Sequence, residues 1–326
     1  MRVTVLGAGA WGTALGLVVH QGGHPVRLWG HDPEHLLELP RTSRNERYLP
    51  GIPLPRGWQF EPDLDRAIPE SDCIIVAVPS QAFRAVSQHL ASFRGVLVSV
   101  TKGIEKATSL TMCGILRSIA PQASAVALSG PTFALEVARG IPTAIVAASD
   151  DLAAAQTVQQ LLHRPAFRVY SSGDPSGVEL GGALKNVVAI AAGVGDGLGF
   201  GDNSKAALVT RGIAEMRRVG VAAGAQAATF AGLSGLGDLT ATCYSRLSRN
   251  RSFGERVGRG ETLKTILADT TKLAEGYPTA QSAYELAKRL KVETPIIDEV
   301  YAMIYAGKDP ARAVQDLTRR ETKAED

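Results

Sequence analysis

Three glycines near the start of the chain have the spacing of a phosphate-binding turn. Gly7, Gly9 and Gly12 follow an apolar run at residues 3–6, and a segment of helical composition comes directly after them. In that context the first glycine permits a tight turn, the second lets a pyrophosphate approach the backbone, and the third lets the helix pack closely. The N–H groups that begin the helix would bind the anion. The pattern predicts a dinucleotide site, although a glycine turn without a ligand has the same spacing.

The second predicted strand covers residues 26–29, and the residues after it bear on the choice between NAD and NADP. An NAD enzyme places a carboxylate there, about 20 residues after the glycines, where it binds the adenosine ribose. Asp32 occupies that position and His31 precedes it. His31 is either a cofactor contact or a solvated histidine at the strand end. The choice of cofactor stays open because three basic residues that could meet a 2′-phosphate follow: Arg41, Arg44 and Arg47.

Lys102 lies at the end of another predicted strand. Ligands of doubly wound sheets bind outside the carboxyl ends of the strands, so the strand ends at residues 78–80 and 99–103 should also face the cofactor. Lys102 places a cation beside Gly103 at the second of these ends. We expect Lys102 to contact a ligand, and an ordinary surface lysine is the alternative.

Lys185 is the candidate for proton exchange in the second half of the chain. Histidine is the usual general base for an alcohol, but all six histidines lie in the first half. Residues 179–193 are otherwise small and apolar, and Gly181, Gly182 and Ala189 share the helical face of Lys185. A lysine that loses hydration loses some preference for its charged form, which favours proton transfer. A lysine that extends into solvent from the helix edge is the alternative.

Asp238 and a basic patch that follows it complete the candidate residues. Asp238 lies among glycine and apolar residues, where an unpaired carboxylate is unfavourable, so it either pairs with Lys185 or caps a helix. Residues 245–252 form the densest basic patch of the chain. Their arginine, amide, hydroxyl and backbone N–H donors would suit one phosphate group. A charged, exposed loop is the alternative interpretation of the patch.

The order of apolar runs predicts the elements that must position these residues. Short β-branched runs alternate with segments of helical length, as in a parallel sheet covered by helices on both faces. We therefore expect an α/β fold with a doubly wound Rossmann-type domain at residues 1–177. A Ser/Gly/Pro cluster ends that domain, and residues 178–326 should form an all-helical domain. The predicted strands cover residues 3–6, 26–29, 73–78, 96–100, 125–128, 143–147 and 167–170.

Composition narrows the set of partners. The chain has 326 residues, which exceeds the usual size of one core. Its formal net charge of +3 is too small for a general binder of phosphate backbones, so we expect no nucleic-acid partner. Three widely separated cysteines indicate a reducing compartment and no metal site, and we expect a cytoplasmic protein. The sequence contains no uninterrupted run of about 18 apolar residues, so we expect no membrane insertion.

Short blocks spread over the chain form one combined pattern. They are residues 7–14, 29–32, 101–103, 129–134, 179–186, 196–202, 235–238, 248–250 and 275–276. Together they resemble the bacterial-type NAD(P)-dependent glycerol-3-phosphate dehydrogenases over nearly the whole length of the chain. The blocks that contain Lys185 and Ser248 separate that family from other Rossmann dehydrogenases with helical second domains.

The resemblance implies an oxidoreductase that interconverts sn-glycerol 3-phosphate and dihydroxyacetone phosphate and supplies glycerol 3-phosphate for phospholipid synthesis. Its cofactor would be NAD or NADP, and Lys185 would be the proton acceptor. The substrate would be bound by Lys102, Gly130, Thr132, Lys185, Asn186, Asp238, Ser248, Arg249 and Asn250. The cofactor would be bound by Gly7, Gly9, Ala10, Trp11, Gly12, His31, Lys102, Ala134, Arg249, Leu273 and Glu275.

Two other classes of function share part of this pattern. Another two-domain hydroxyacid or ketoacid reductase with a lysine base, such as a ketopantoate type, would not need the basic patch around Arg249. A non-catalytic dinucleotide sensor would need only the glycines and could dispense with Lys185 and Asp238. The family resemblance favours the phosphorylated substrate, and it also implies a homodimer.

Overall fold

The computed structural model describes residues 1–269 and 274–321. The chain divides into two compact units, and the division falls inside a helix that extends from Pro175 to Gly197. Sequence composition places the domain boundary slightly earlier, after residue 177. Unit 1 comprises Met1–Glu105 and Leu110–Glu179, and unit 2 comprises Lys106–Ser109 and Leu180–Asp326.

Among the described residues, unit 1 contains one eight-stranded sheet. Its strands are β1 (Val3–Leu6), β2 (Val26–Trp29), β3 (Gln59–Phe60), β4 (Cys73–Val76), β5 (Val96–Ser99), β6 (Ser124–Ser129), β7 (Thr143–Ala148) and β8 (Phe167–Ser172). The order across the sheet is β3-β2-β1-β4-β5-β6-β7-β8. This arrangement confirms the predicted α/β, Rossmann-type fold.

The sheet is mixed rather than entirely parallel. Strands β6 and β7 pair in the antiparallel direction, while β7 and β8 are parallel to each other. The expectation of a wholly parallel sheet is therefore wrong at this edge, because an apolar run carries no information about its direction. The two-residue strand β3 was also missed, since Gln59 is exposed and Phe60 only half-buried, without the apolar run that marks β1 or β4.

Helices connect the strands of unit 1 and cover the apolar faces of the sheet. They are α1 (Ala10–Gln21), α2 (Pro33–Thr42), α3 (Leu64–Ala67), α4 (Ser80–Gln88), α5 (Met112–Ile119), α6 (Ala134–Ala138) and α7 (Leu152–Leu162). Strand β1 pairs in parallel with both β2 and β4, so the strand order reverses at β1. Ligands of open α/β sheets bind at such a reversal, outside the carboxyl ends of the strands.

The described residues of unit 2 form helices and no strand, as the sequence predicts. Helix α8 (Pro175–Gly197) continues from unit 1 into unit 2. A short 3₁₀ helix (Ala227–Ala231) and a π-helical turn (Leu233–Gly237) lie between two of the helices of this unit, after residue 222 and before residue 238. The remaining helices are α9 (Asp202–Ala222), α10 (Asp238–Tyr244), α11 (Arg249–Gly258), α12 (Leu263–Leu267), α13 (Gly276–Leu290), α14 (Pro295–Tyr305) and α15 (Pro310–Thr318).

Glycines allow the backbones of α8 and α11 to touch. A Cβ atom on Gly193 would overlap the carbonyl oxygen of Arg251, and one on Gly254 would overlap that of Ile190. Larger residues at these positions would separate the two helices, and the distance between their side chains would change. The close approach therefore depends on the absence of side chains at both glycines.

Helix α8 is also long and apolar enough to cross a membrane, with a mean hydropathy of 1.3 in its most apolar window. In the structure, 94% of that window is buried within the protein. Core helices of folded domains meet the same test of length and hydropathy. The composition of α8 is thus accounted for by its burial.

Candidate active site

The glycine turn connects β1 to α1, and each glycine meets a different steric requirement. Gly7 has a φ of +128°, and a Cβ there would overlap the carbonyl oxygen of Ala77. A Cβ on Gly12 would overlap the carbonyl oxygen of Gly7. At Gly9, by contrast, no atom of the described residues other than its own chain neighbours lies within 4 Å of such a Cβ. The turn is therefore closed on the protein side and open in front of Gly9.

The N-terminus of α1 is available to an anion. Gly9 is the N-cap residue, and no side chain of the described part of the chain caps the helix. The first N–H groups of a helix have no partner within the helix, and the helix dipole places positive charge there. Ala10, Trp11 and Gly12 supply these groups. An open backbone with unfilled donors fits the pyrophosphate of a dinucleotide.

A buried side-chain network that the sequence analysis missed supports the turn from behind. Asn45, which is 1% exposed, donates from Nδ2 to the carbonyl oxygen of Ala8 at 3.0 Å and to the Thr13 hydroxyl at 2.8 Å. Its Oδ1 lies 3.0 Å from His35 Nε2. Asn45 comes from a loop after α2, and its type and position carried no signal of this role.

Asp32 is a helix cap in this structure. It accepts the N–H of His35 at 3.1 Å at the start of α2, and it pairs with Arg47 at 2.8 Å. The His35 N–H and the Arg47 guanidinium lower the pKa of the Asp32 carboxyl. His31 is exposed at the end of β2, and Arg44 pairs with Glu46. Two of the candidate groups for cofactor discrimination, Asp32 and Arg47, are thus paired with each other.

Unit 1 also brings Lys102, Gly130 and Thr132 together. Lys102 follows β5 and Gly130 follows β6, and these strands are parallel, so their carboxyl ends lie side by side. Lys102 Nζ donates to the Gly130 carbonyl oxygen at 3.2 Å, and the Thr132 hydroxyl contacts the same oxygen at 3.2 Å. Ala134 begins α6 directly after this loop. The carboxyl edge of the sheet therefore carries a cation and a hydroxyl.

In unit 2, Lys185 lies in a buried polar cluster on α8. Its side chain is 7% exposed, and its Nζ lies 3.0 Å from Oδ1 of Asp238, whose side chain is 4% exposed. The ammonium also donates to the Thr242 hydroxyl at 2.7 Å. The predicted pairing of Lys185 with Asp238 is confirmed, and the alternative of a lysine in solvent is wrong. A buried amine and carboxylate compensate each other's charge.

Thr242 is a member of this cluster that the sequence analysis missed. Its hydroxyl lies 2.6 Å from the Asp238 carbonyl oxygen and 3.2 Å from Asp238 Oδ1, so it donates to Asp238 while it accepts from Lys185. Asp238 and Thr242 are four residues apart on α10, a spacing that places them on one helical face. That spacing was the signal available in the sequence.

Backbone packing explains why Asp238 meets Lys185. The π-helical turn Leu233–Gly237 leads directly into α10, and Gly237 is the N-cap residue, so Asp238 itself does not cap the helix. A Cβ on Gly181 would lie 2.8 Å from the carbonyl oxygen of Ser234. The turn therefore lies directly against α8, one helical turn before Lys185.

The first turn of α11 carries the basic patch. Ser248 is the N-cap residue and accepts the Arg251 N–H at 3.1 Å, and Arg249 is exposed. Buried Asn250 donates from Nδ2 to Oδ1 of Asn186 at 2.8 Å. Residues 248–252 of the patch therefore form a helix N-terminus attached to α8 beside Lys185, rather than the charged, exposed loop of the alternative interpretation.

Asn250 also connects this turn to α13. Its Oδ1 accepts the N–H of Gly276 at 2.8 Å, directly after Glu275, the N-cap residue of that helix. A Cβ on Gly276 would lie 2.7 Å from the carbonyl oxygen of Asn186. Unit 2 thus assembles Lys185, Asn186, Asp238, Ser248, Arg249, Asn250 and Glu275, while Leu273 lies outside the described residues.

Unit 2 also contains a mainly apolar cavity of about 550 Å³. Residues of α8, α9, α14 and α15 line it, among them Asp196 and Lys205. Lys185, Asp238 and Arg249 are not among its lining residues.

Within the described residues, no group of three or more His, Cys, Asp or Glu side chains could hold a metal ion. The polar cluster around Lys185 is therefore the candidate centre for chemistry in this unit.

Comparison with known proteins identifies the family. A model described as the N-terminus of NAD-dependent glycerol-3-phosphate dehydrogenase matches residues 2–155, and a model described as its C-terminus matches residues 174–315. The chain belongs to this family. The two models together span most of both units.

Relatives and solved structures of the family match over almost the full length. A glycerol-3-phosphate dehydrogenase (NAD(P)+) of Geobacter sp. (strain M21) is 49% identical over 330 residues, covering 99% of this chain and 98% of the relative. The crystal structure of the enzyme from Coxiella burnetii is 37% identical with a TM-score of 0.94, covering 98% and 99% of the two chains. A ketopantoate reductase from Ralstonia eutropha, at 15% identity and a TM-score of 0.63 over 96% and 100%, shares the fold only.

Proposed function

We propose that this protein is an NAD(P)-dependent glycerol-3-phosphate dehydrogenase that interconverts sn-glycerol 3-phosphate and dihydroxyacetone phosphate. The observation that carries the proposal is the buried cluster of Lys185, Asp238 and Thr242 beside the ordered first turn of α11. The cluster provides a group for proton exchange, and the helix turn provides donors for one phosphate. The family membership of the chain supports both assignments.

The glycine turn of unit 1 is suited to a nicotinamide dinucleotide. The open space in front of Gly9 and the uncapped N-terminus of α1 fit its pyrophosphate. When bound, the reduced cofactor supplies a hydride to C2 of the substrate, and the oxidised form accepts one. Either NAD or NADP is compatible with the exposed His31 at the end of β2.

Lys185 is assigned the exchange of a proton with the C2 oxygen. In the reducing direction its ammonium donates a proton to that oxygen, and in the oxidising direction the neutral amine accepts one. Asp238 at 3.0 Å and the Thr242 hydroxyl at 2.7 Å fix the orientation of Nζ. Burial removes the water that would otherwise compete for the amine.

Arg249, Asn250 and Ser248 are assigned to the substrate phosphate. A helix N-terminus attracts an anion through its free N–H groups, and an exposed arginine adds a bidentate donor. Asn186 holds Asn250 in place through the 2.8 Å hydrogen bond. Lys102, Gly130 and Thr132 of unit 1 are proposed as further substrate contacts, with Lys102, Ala134, Arg249 and Glu275 as cofactor contacts.

The cellular role follows from the reaction. In the reducing direction the product is glycerol 3-phosphate, the backbone for phospholipid synthesis. We assign most of the cofactor contacts to residues 1–177, and the general base with most of the substrate contacts to residues 178–326. The proposal includes a cytoplasmic homodimer without membrane insertion, and the burial of α8 supports the last of these points.

A single assay tests the activity. The purified protein is mixed with dihydroxyacetone phosphate and either NADH or NADPH, and the loss of reduced-cofactor absorbance is followed. We expect turnover with at least one cofactor and no loss of absorbance when no ketone is added. Turnover of an unphosphorylated 2-ketoacid in place of dihydroxyacetone phosphate would favour another reductase. Cofactor binding without any turnover would favour a dinucleotide sensor.

A further inference from the structure

Three charged side chains from three helices meet on the side of α11 that faces α8. Asp196, near the end of α8, lies 2.6 Å from Lys205 Nζ of α9 through Oδ1 and 2.5 Å from Arg251 Nε of α11 through Oδ2. The Arg251 contact is an ion pair without the alignment of a hydrogen bond. The side chains of Asp196, Lys205 and Arg251 are only 12–15% exposed. No proposed binding or catalytic role includes these residues.

Arg251 belongs to the turn that carries the proposed phosphate donors. Its own N–H donates to the Ser248 cap at 3.1 Å, and its side chain extends to Asp196. Asn250, the preceding residue, is bonded to Asn186 on the same helix α8. The first turn of α11 is therefore attached to α8 at two points, one beside Lys185 and one near the end of the helix.

Glycine packing restricts the distance between the backbones of α8 and α11 at this attachment. A Cβ on Gly193 would overlap the Arg251 carbonyl oxygen, so the backbone of α11 at Arg251 lies directly against α8. Lys205 also lies over the Tyr244 ring, 5.3 Å from its centroid, at the end of α10. The ion pairs of Asp196 thus reach the helices that carry Lys185, Asp238 and Arg249.

We infer that Arg251, through its ion pair with Asp196, is a positioning residue that sets the place of Arg249 and Asn250 relative to Lys185. This role rests on the proposed function, since it concerns the distance between the substrate phosphorus and the C2 oxygen, which are four bonds apart. Displacement of a binding group by about 1 Å can lower a rate by about 100-fold. If Arg251 contributed only to folding, its loss would affect the activity on substrates with and without a phosphate equally.

The test compares dihydroxyacetone phosphate with unphosphorylated dihydroxyacetone in the Arg251→Gln protein. The substitution leaves Asp196 paired with Lys205, and Glu255, which Arg251 also contacts at 3.4 Å, paired with Arg259, so no isolated carboxylate remains buried. We expect kcat/KM for dihydroxyacetone phosphate to fall by about 10- to 100-fold, mainly through KM, while kcat/KM for dihydroxyacetone changes by less than about threefold.

Two further variants keep the test interpretable. Arg251→Lys retains a cation for Asp196 and should recover most of the preference for the phosphorylated substrate. Lys308→Gln removes ion pairs of unit 2 that join α14 to α15, with Glu299 at 2.5 Å and Asp316 at 2.7 Å, and none of these three residues belongs to α8 or α11. It should leave the ratio between the two substrates unchanged. If Arg251→Gln does not fold, Asp196→Asn is measured in its place, with the same expectation.

The outcomes separate the positioning role from the proposed function. Wild-type protein that does not reduce dihydroxyacetone phosphate overturns the proposed function itself. Active wild-type protein together with an Arg251→Gln variant that loses activity equally on both substrates, at unchanged KM, overturns the positioning role. The same conclusion follows if Lys308→Gln reproduces the loss of substrate preference.

Discussion

Nζ of Lys185 lies 3.0 Å from Oδ1 of Asp238, and both side chains are almost completely buried in unit 2. The two residues come from α8 and α10, and the Thr242 hydroxyl bridges them. A buried ion pair contributes little net stability, because the loss of hydration offsets the attraction. Its presence here is better explained by a need for an oriented amine at this position.

Lys185→Met should nearly abolish turnover. Loss of an oriented general base costs about 10² to 10⁴ in kcat, because the C2 oxygen then exchanges its proton with water. Steady-state kinetics would measure the loss, and titration with NADH or NADPH should give unchanged cofactor binding. The exposed Lys291→Met protein is the matched control and should retain full activity. Near-normal kcat in Lys185→Met would remove this residue from the role.

Asp238→Asn should lower both activity and stability. The substitution leaves the Lys185 ammonium buried without an opposite charge, which costs about 3–5 kcal/mol for a buried pair. Urea unfolding of the variant would measure this loss. The double variant Lys185→Met/Asp238→Asn should be more stable than Asp238→Asn alone, because it contains no uncompensated charge. Additive losses would argue against an electrostatic pair.

Thr242→Val should lower kcat by about tenfold, the typical effect of removing one hydrogen bond to a charged group. Valine has nearly the same shape, so packing around α10 should be preserved. Thr242→Ser keeps the hydroxyl and should retain most of the activity. Loss of activity in Thr242→Ser together with retained activity in Thr242→Val would indicate that the methyl group, rather than the hydroxyl, is what matters.

The glycine turn predicts opposite effects at two positions. Gly9→Ala adds a methyl group into open space, so stability should be unchanged while the Kd for the cofactor rises by about tenfold, or about 1.4 kcal/mol. Gly12→Ala forces a Cβ against the Gly7 carbonyl oxygen and should destabilise unit 1 by about 1–3 kcal/mol. Thermal unfolding and cofactor titration distinguish the two effects. A destabilised Gly9→Ala protein would contradict the open geometry.

Glu215 should make the stability of unit 2 depend on pH. Burial raises the pKa of its carboxyl to about 7, although the N–H groups of Ile296 and Ile297 act in the opposite direction. Because the folded state binds this proton more tightly, the stabilisation is complete below the unfolded value of 4.5 and is lost as the pH rises through about 7.

Comparison with Glu215→Gln measures this contribution. The free energy of unfolding of the wild type, relative to the variant, should fall by up to about 3 kcal/mol between pH values of about 5 and about 8. Denaturant unfolding across that range gives the difference directly. A constant difference between the two proteins would show that Glu215 does not titrate in this window.

Several features of the site could be predicted from short stretches of sequence. The spacing of Gly7, Gly9 and Gly12 specifies a turn whose steric requirements are local. Lys185 stood out because small and apolar residues surround it within one helix. Thr242 could have been found in the same way, since it is one helical turn from Asp238.

Other features involve partners that are distant in the chain. Asp32 has the position of a ribose ligand, yet it caps α2 and pairs with Arg47, a contact that depends on the path of the loop between them. The role of Asn45 behind the glycine turn depends on the same path. No local pattern encodes how a loop folds back onto the helix before it.

The sequence by itself determined the α/β and helical halves, the dinucleotide turn and the candidate base, because periodicity, glycine spacing and local hydrophobicity act over a few residues. Only the tertiary structure decided the antiparallel β7, the bridging hydroxyl of Thr242, and the meeting of Asp196, Lys205 and Arg251. These depend on strand direction and on the packing of helices whose contacts are set by glycines far apart in the chain. Charges placed on separate helices become partners only when that packing removes the water between them.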